Sequence, residues 1–228
     1  MILAAGLGVR MRPLTDDRPK ALVEVAGKPL IAHLLESLDE AGAQKIVVNM
    51  HYRPGPLAAY LAAHPLKQRI VLSDESDKIL DTGGGVKKAL SELGDKPFFA
   101  ANCDSFFPDG DANPFLALSD RWKESMGALL LLKETEEAVG YGGQGDFFMD
   151  ASGRLKRGSG KAPFAYAGLQ ILDPALFGEE TEAVFSLNRV YDKALNAGKL
   201  FGVPYPGRWF HIGTPGALDE AERLARHD

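Results

Sequence analysis

The chain has 228 residues, 45% of them hydrophobic and 25% charged, which is enough apolar material for a sizeable α/β domain and excludes a disordered chain. A net charge of −5 argues against a nucleic-acid partner held by bulk electrostatics, but leaves room for a local site that binds small phosphates. The single cysteine, Cys103, excludes an internal disulfide, the five histidines have no zinc spacing, and no apolar run approaches the ~20 residues of a membrane helix. With no basic-then-apolar leader at its start, the chain is expected to be cytoplasmic and to have no membrane partner.

In chain order, residues 1–5 read as a short apolar strand running into a glycine turn. Leu30, Ile31, Leu34, Leu35 and Leu38 recur at helical spacing and predict a helix over 29–40, closed by Gly42. A strand is expected over 45–49, a helix over 57–63, a strand over 70–72, a helix over 85–93 and a strand over 97–101. The second half is less regular. A strand is predicted over 126–132, and the glycine-rich stretch 139–160 reads as loops and a hairpin turning at 150–153. A strand over 164–172, a helix over 186–196, a strand over 200–203 and a helix over 215–226 complete the chain.

Strand and helix alternate, which implies an α/β, Rossmann-like, mainly parallel (mixed) sheet sandwiched by helices. Ligands in such sheets bind beyond the carboxyl ends of the strands. The segments 6–20, 81–85 and 102–104 all follow strands and should converge on one cleft.

Gly6 and Gly8 let the backbone approach a ligand closely, and the amides of such a turn can cradle phosphate oxygens. Arg10 can add charge-assisted bonds, and Lys20, launched from Pro19, brings a compact ammonium suited to the space between two phosphates. Each feature alone also reads as a tight turn or a solvated surface lysine. Asp104, at a strand end, reads either as a ligand for a hard cation or as a turn cap.

In order, Leu-Ala-Ala-Gly-x-Gly-x-Arg-Met-x-Pro-Leu-Thr from Leu3, Pro19-Lys20-Ala21-Leu22-Val23, and Ala26-Gly27-Lys28-Pro29-Leu30-Ile31 resemble the opening of the sugar nucleotidyltransferase family. Asp81-Thr82-Gly83-Gly84-Gly85, Asn102-Cys103-Asp104, Tyr166-Ala167-Gly168 and Ile212-Gly213-Thr214-Pro215 extend the likeness more weakly. The compact length and the Thr-Gly-Gly-Gly form resemble the branch that uridylylates N-acetylmuramate 1-phosphate in cell-wall sugar recycling, close to mannose-1-phosphate guanylyltransferases.

The resemblance implies a sheet of nucleotidyltransferase type in a single domain, 1–228, with a nucleotide-binding lobe at 1–105 and a sugar-binding lobe at 106–228. It implies a nucleoside triphosphate (UTP in that branch) and a sugar 1-phosphate as partners, Mg²⁺ as cofactor, and a monomer or small homo-oligomer. Leu3, Ala5 and Gly6 would line the base and ribose, and Gly8 and Arg10 would hold the β- and γ-phosphates. Lys20 would bridge the α-phosphate and the sugar phosphate, Thr82 and Gly83 would contact the base edge, and Asp104 would bind the metal. Tyr166, Gly168, Lys161 and Trp209 are candidates for the sugar, with Trp209 reading equally as a core residue.

Two positions depart from the family pattern. His211 stands where an aspartate usually helps to hold the metal, and is expected beside the metal as ligand or phosphate contact. Cys103 stands where glycine is common and reads as core. Four other readings stay open: a mannose-1-phosphate guanylyltransferase, a glycosyltransferase using Asp109-Gly110-Asp111, a phosphocholine cytidylyltransferase, and a catalytically silent binding relative.

Overall fold

The computed structural model describes residues 1–158 and 160–225. In chain order the strands are β1 (Ile2–Leu3), β2 (Glu24–Val25), β3 (Lys28–Pro29), β4 (Ile46–Met50), β5 (Ile70–Asp74), β6 (Phe98–Asn102), β7 (Ser105–Phe106), β8 (Ala128–Glu134), β9 (Phe147–Met149), β10 (Leu155–Arg157), β11 (Phe164–Leu172), β12 (Leu200–Pro204) and β13 (Phe210–His211). The helices are α1 (Leu30–Glu40), α2 (Pro54–Ala63), α3 (Asp81–Leu93), α4 (Pro114–Ser119), α5 (Leu187–Asn196) and α6 (Pro215–Ala225). The predicted end of the last helix at residue 226 lies outside the described residues.

The main sheet runs β5-β4-β1-β6-β11-β8-β12, and every pairing along it is parallel except those of β11, which is antiparallel to β6 and β8. The β9–β10 hairpin joins it where Phe147 meets Phe164. Period-2 alternation separates the two faces. Ile46, Val48 and Met50 of β4 enter the core under α1, α2 and α4, while Val47 enters the core under α3 and α5. Each such side chain stabilises the fold by about 1.5–3 kcal/mol. The predicted mixed α/β sheet with helices on both faces is the observed one.

Local chemistry explains where the elements stop. The stripe on α1 is buried, and Gly42, at φ 77°, ends the helix as its N–H donates to Asp39 O while Ala43 N–H reaches Leu38 O. The Asp150 carboxylate accepts from the amides of Ser152 and Arg154 at 2.8 and 3.0 Å, fixing the turn of the β9–β10 hairpin.

Several boundaries depart from the sequence reading, with α2 beginning at Pro54 and β8 running Ala128–Glu134, and the largest departure is at α3. α3 begins at Asp81, so the glycines expected in a loop form its first turn. The reason is tertiary. The amides of Gly83 and Gly84 both donate to Phe185 O, at 2.9 and 3.0 Å, and Leu187 N–H donates to Thr82 Oγ1 at 3.0 Å. A Cβ on Gly83 would overlap the Phe185 ring, and one on Gly84 would overlap the Ala183 carbonyl oxygen. We expect Gly84→Ala to lower unfolding free energy by about 1–3 kcal/mol through overpacking, read as a lower urea midpoint. An unchanged midpoint would contradict this packing.

A third, smaller core gathers the segments that follow β1 and β6. Met11, Val23, Val25 and Leu30 pack with Phe106, Phe210, Ile212 and Ala221. It ties the first loop to the β7–β13 ribbon and to α6, and so fixes the walls of the cleft described next.

Candidate active site

From β1 the chain moves to β4 and β5 on one side, then returns to β6 on the other, so the order reverses beside β1. The ligand crevice of an open α/β sheet lies at such a point. A cleft of about 380 Å³ lies there, and all three loops expected to converge contribute to it. Leu3, Ala5, Gly6, Gly8, Arg10, Lys20, Thr82 and Asp104 line it.

Gly8 adopts φ 64°, ψ 21°, a left-handed conformation that favours glycine, and a Cβ there would fall 3.0 Å from Thr15 Cγ2, a tight contact. Thr15 Oγ1 donates to Gly8 O at 2.8 Å and Met11 N–H to the same oxygen at 2.9 Å, which locks the turn. Arg10 follows on an exposed 3₁₀ turn and forms no ion pair among the described residues. The nearby cations Arg12 and Arg18 are instead paired with Asp16 and Asp17.

The strongest electrostatic contact in the cleft joins Lys20 Nζ to Asp104 Oδ2 at 2.7 Å, with both side chains mostly buried. Burial pushes the Asp104 carboxyl up, but the Lys20 charge, His211 and the lysine hydrogen bond outweigh it and hold the group below its ordinary value. The β7–β13 ribbon sets His211 opposite Ser105, the neighbour of Asp104, and Ile212 N–H donates to Asp104 O at 2.9 Å. Burial lowers the His211 pKa, Asp104 opposes this, and Lys20 and Arg10 add to it, so the imidazole is neutral at pH 7. A Cβ on Gly213 would lie 2.7 Å from His211 Nε2 and 3.7 Å from Arg10 Nη2, so this glycine leaves space between the two. Cys103 is buried and its thiol is pushed up to about 12, chiefly by burial, which makes it inert core as the sequence suggested.

On the β4–β5 side, Ala4 N–H donates to Asn49 Oδ1 at 2.7 Å and Asn49 Nδ2 donates to Glu75 Oε1 at 2.7 Å. Gly85 makes room for this pair, since a Cβ would sit 2.7 Å from Glu75 Oε1. Sequence reasoning missed Glu75. It carries no motif, and only its 2% exposure on the cleft wall singles it out.

A second pocket of about 310 Å³ shares Asp81, Thr82 and Asn102 with the first and adds Asp146, Arg157, Tyr166, Ser186 and Asn188. Of the residues expected on the sugar side, Tyr166 lines this pocket. Trp209 is 2% exposed and packs near Tyr141 and His211 inside the core, so the stacking reading gives way to the core reading. Lys161 is exposed and pairs with Glu136, outside both pockets. Gly168, at φ 78°, packs on Ser105 and Asn102 where the β11 register shifts. Gly83 is covered by Phe185 rather than open to the cleft. The Asp109-Gly110-Asp111 motif lies outside both pockets. Asp109 pairs with Lys28, and Asp111 accepts from the Arg208 backbone and side chain. The His33, Glu36 and Asp109 group nearby is partly neutralised by Lys28, which bonds Glu36 at 2.7 Å.

A family model described as a MobA-like NTP transferase domain matches residues 1–144. The N-acetylmuramate alpha-1-phosphate uridylyltransferase of Caulobacter vibrioides is 44% identical over 99% of this chain and 96% of its own length. The protein of the same name from Neisseria meningitidis serogroup B is 35% identical over 99% of this chain and 97% of its own. A UDP-glucose pyrophosphorylase solved with UDP-glucose superposes with a TM-score of 0.79 at 18% identity, covering 98% of this chain and 96% of that one, a likeness of fold. The chain belongs to the MobA-like NTP transferase family, and within it to the sugar-1-phosphate nucleotidyltransferases.

Proposed function

We propose that the chain transfers the uridylyl group of UTP to N-acetylmuramate 1-phosphate with Mg²⁺ bound, releasing pyrophosphate, in the recycling of cell-wall sugars. The observation that carries this reading is the meeting of the two pockets. They share Asn102, two residues before Asp104, so a triphosphate in the first and a sugar phosphate in the second come together beside the Lys20–Asp104 pair.

The chemistry needs no protein nucleophile. An oxygen of the sugar phosphate, already anionic near neutral pH, attacks the α-phosphorus, and the bond to the β-phosphate oxygen breaks as pyrophosphate departs. Alignment of the two substrates contributes up to about 7–11 kcal/mol. In this reading Gly8 and Arg10 hold the leaving phosphates, and Lys20 neutralises charge between the α-phosphate and the acceptor.

The donor set fits a hard divalent cation that brings most of its ligands from phosphates and water. Asp104 supplies a carboxylate held ionised, and the neutral imidazole of His211 stands at the neighbouring ribbon. When bound, Mg²⁺ supplies charge neutralisation at the triphosphate.

Asp81 and Asp146 also line the acceptor pocket, so a preference for an acidic sugar over mannose 1-phosphate rests on one side chain. The pocket's one cationic side chain among the described residues is Arg157, oriented by Asp192 Oδ1 at 3.0 and 2.8 Å and stacked over Phe147. N-acetylmuramate carries a carboxylate that a guanidinium can bind, and mannose does not. Arg157→Gln should raise KM for N-acetylmuramate 1-phosphate by about 10-fold or more while leaving KM for UTP unchanged. Equal KM for the muramate substrate in both proteins would remove Arg157 from the reading.

A further inference from the structure

Away from the cleft, α1 and the turn after β7 bring three metal-ligating side chains together. His33 and Glu36 lie three residues apart on α1 and so share one face of the helix. Asp109 reaches the same place from the segment between β7 and α4. One ring nitrogen of His33 and one carboxylate oxygen from each of Glu36 and Asp109 lie within 4.8 Å of one another. A cavity of about 530 Å³, lined by His33, Asp109 and Asp111 among others, opens beside them, and Arg208 in that cavity is taken up by Asp111. None of the three ligating residues lines either pocket of the cleft.

The histidine is the informative member. It is 5% exposed, and its Nε2 sits 2.9 Å from the Val25 carbonyl oxygen. A carbonyl only accepts, so Nε2 carries the proton and Nδ1 carries the lone pair. Nδ1 is buried with no hydrogen-bond partner. An imidazole whose other nitrogen donates to a backbone carbonyl is fixed in the tautomer and orientation of a metal ligand. Edge contact with the Phe106 ring, at 4.8 Å between centroids, holds it there.

The two carboxylates share a single ammonium. Lys28 Nζ lies 2.7 Å from Glu36 and 3.7 Å from Asp109, on a side chain that is 41% exposed. It balances one of two negative charges and leaves Nδ1 unpartnered. A divalent ion would balance both carboxylates and accept the Nδ1 lone pair, while the exposed lysine swings into solvent.

We propose that His33, Glu36 and Asp109 form a second cation site, one for Zn²⁺ rather than for Mg²⁺. Imidazole with two carboxylates suits zinc, which takes three such ligands and a water, whereas Mg²⁺ prefers oxygen alone. Bonds of about 2.0–2.2 Å require the ligand atoms to close by about an ångström, and the two exposed carboxylates can move. The bound ion would clip α1 to the segment after β7. Because Phe106 packs on both His33 and Phe210, it would also stiffen the third core.

Calorimetric titration with Zn²⁺ tests this in the Asp104→Asn protein, where the catalytic carboxylate is gone and uptake reports the second site. About one equivalent is expected to bind and to raise the melting temperature, since the ion binds only the folded chain. Adding Glu36→Gln or Asp109→Asn, both at exposed positions, should weaken zinc binding about 10–100-fold. Adding Lys28→Met instead deletes the competing ammonium and should tighten it about 5-fold. Excess Mg²⁺ should not displace the zinc. No zinc uptake by Asp104→Asn, uptake that neither Glu36→Gln nor Asp109→Asn weakens, weaker uptake in Lys28→Met, or displacement by excess Mg²⁺ would each overturn the site.

Discussion

Asp104→Asn is expected to leave a folded protein whose rate of pyrophosphate release falls by about 10³-fold or more. The substitution preserves shape but removes the carboxylate that pairs with Lys20 next to His211. It also sets an amide where a carboxylate now receives the lysine at 2.7 Å, weakening the orientation of both groups. Because the carboxyl is held below its ordinary value, it is ionised throughout the neutral range, and its charge is what the reaction uses. The loss should fall on kcat more than on KM for the sugar phosphate, since the effect belongs to the transferring phosphate. A variant with wild-type turnover at saturating Mg²⁺ would remove Asp104 from the chemistry.

Lys20→Met should lower kcat/KM by about 10²–10³-fold for both substrates. Methionine keeps the length and apolar stem but deletes the ammonium, which in the proposed mechanism offsets charge on both phosphates as they approach. The same change acts on stability with a definite sign. Asp104 has a lowered folded-state pKa, so its pairing contributes stability above the unfolded carboxylate pKa, and that contribution is lost as pH falls through the lower folded value. In Lys20→Met, burial is opposed only by His211 and local hydrogen bonding. The stability gap to the parent protein is therefore widest near pH 7 and narrows as pH is taken down through the carboxylate range. Thermal melts across that range check the sign, and a gap that widens toward low pH would contradict the pairing.

Much of this framework is legible in the amino-acid sequence. The β11 strand falls on residues 164–172 as predicted, and α1 with its Gly42 stop follows directly from the leucine stripe and the glycine. These features depend on neighbours in sequence, where periodicity and backbone preference act. The turn at Gly8 is legible for the same reason. Features that depend on distant partners are hidden. Gly83 and Gly84 look like loop glycines because glycine weakens a helix, yet they open α3 because a segment far along the chain packs on them. The β7–β13 ribbon has two residues in each strand, too few for any alternation, although it is what carries His211 to Asp104. Trp209 reads as a sugar platform or a core residue, and only its burial decides. Glu75 and Arg157 lack motifs altogether and acquire meaning from the walls they join.

Pyrophosphate release with Mg²⁺ tests the central claim most directly, using the four nucleoside triphosphates against N-acetylmuramate 1-phosphate, mannose 1-phosphate and glucose 1-phosphate. The account predicts release with UTP and N-acetylmuramate 1-phosphate at a kcat/KM well above every other pair, and none when Mg²⁺ is chelated. Preference for GTP with mannose 1-phosphate would contradict the substrate assignment and the role given to Arg157. No release from any pair, by a protein that still binds nucleotide, would contradict the assignment of catalysis to this cleft.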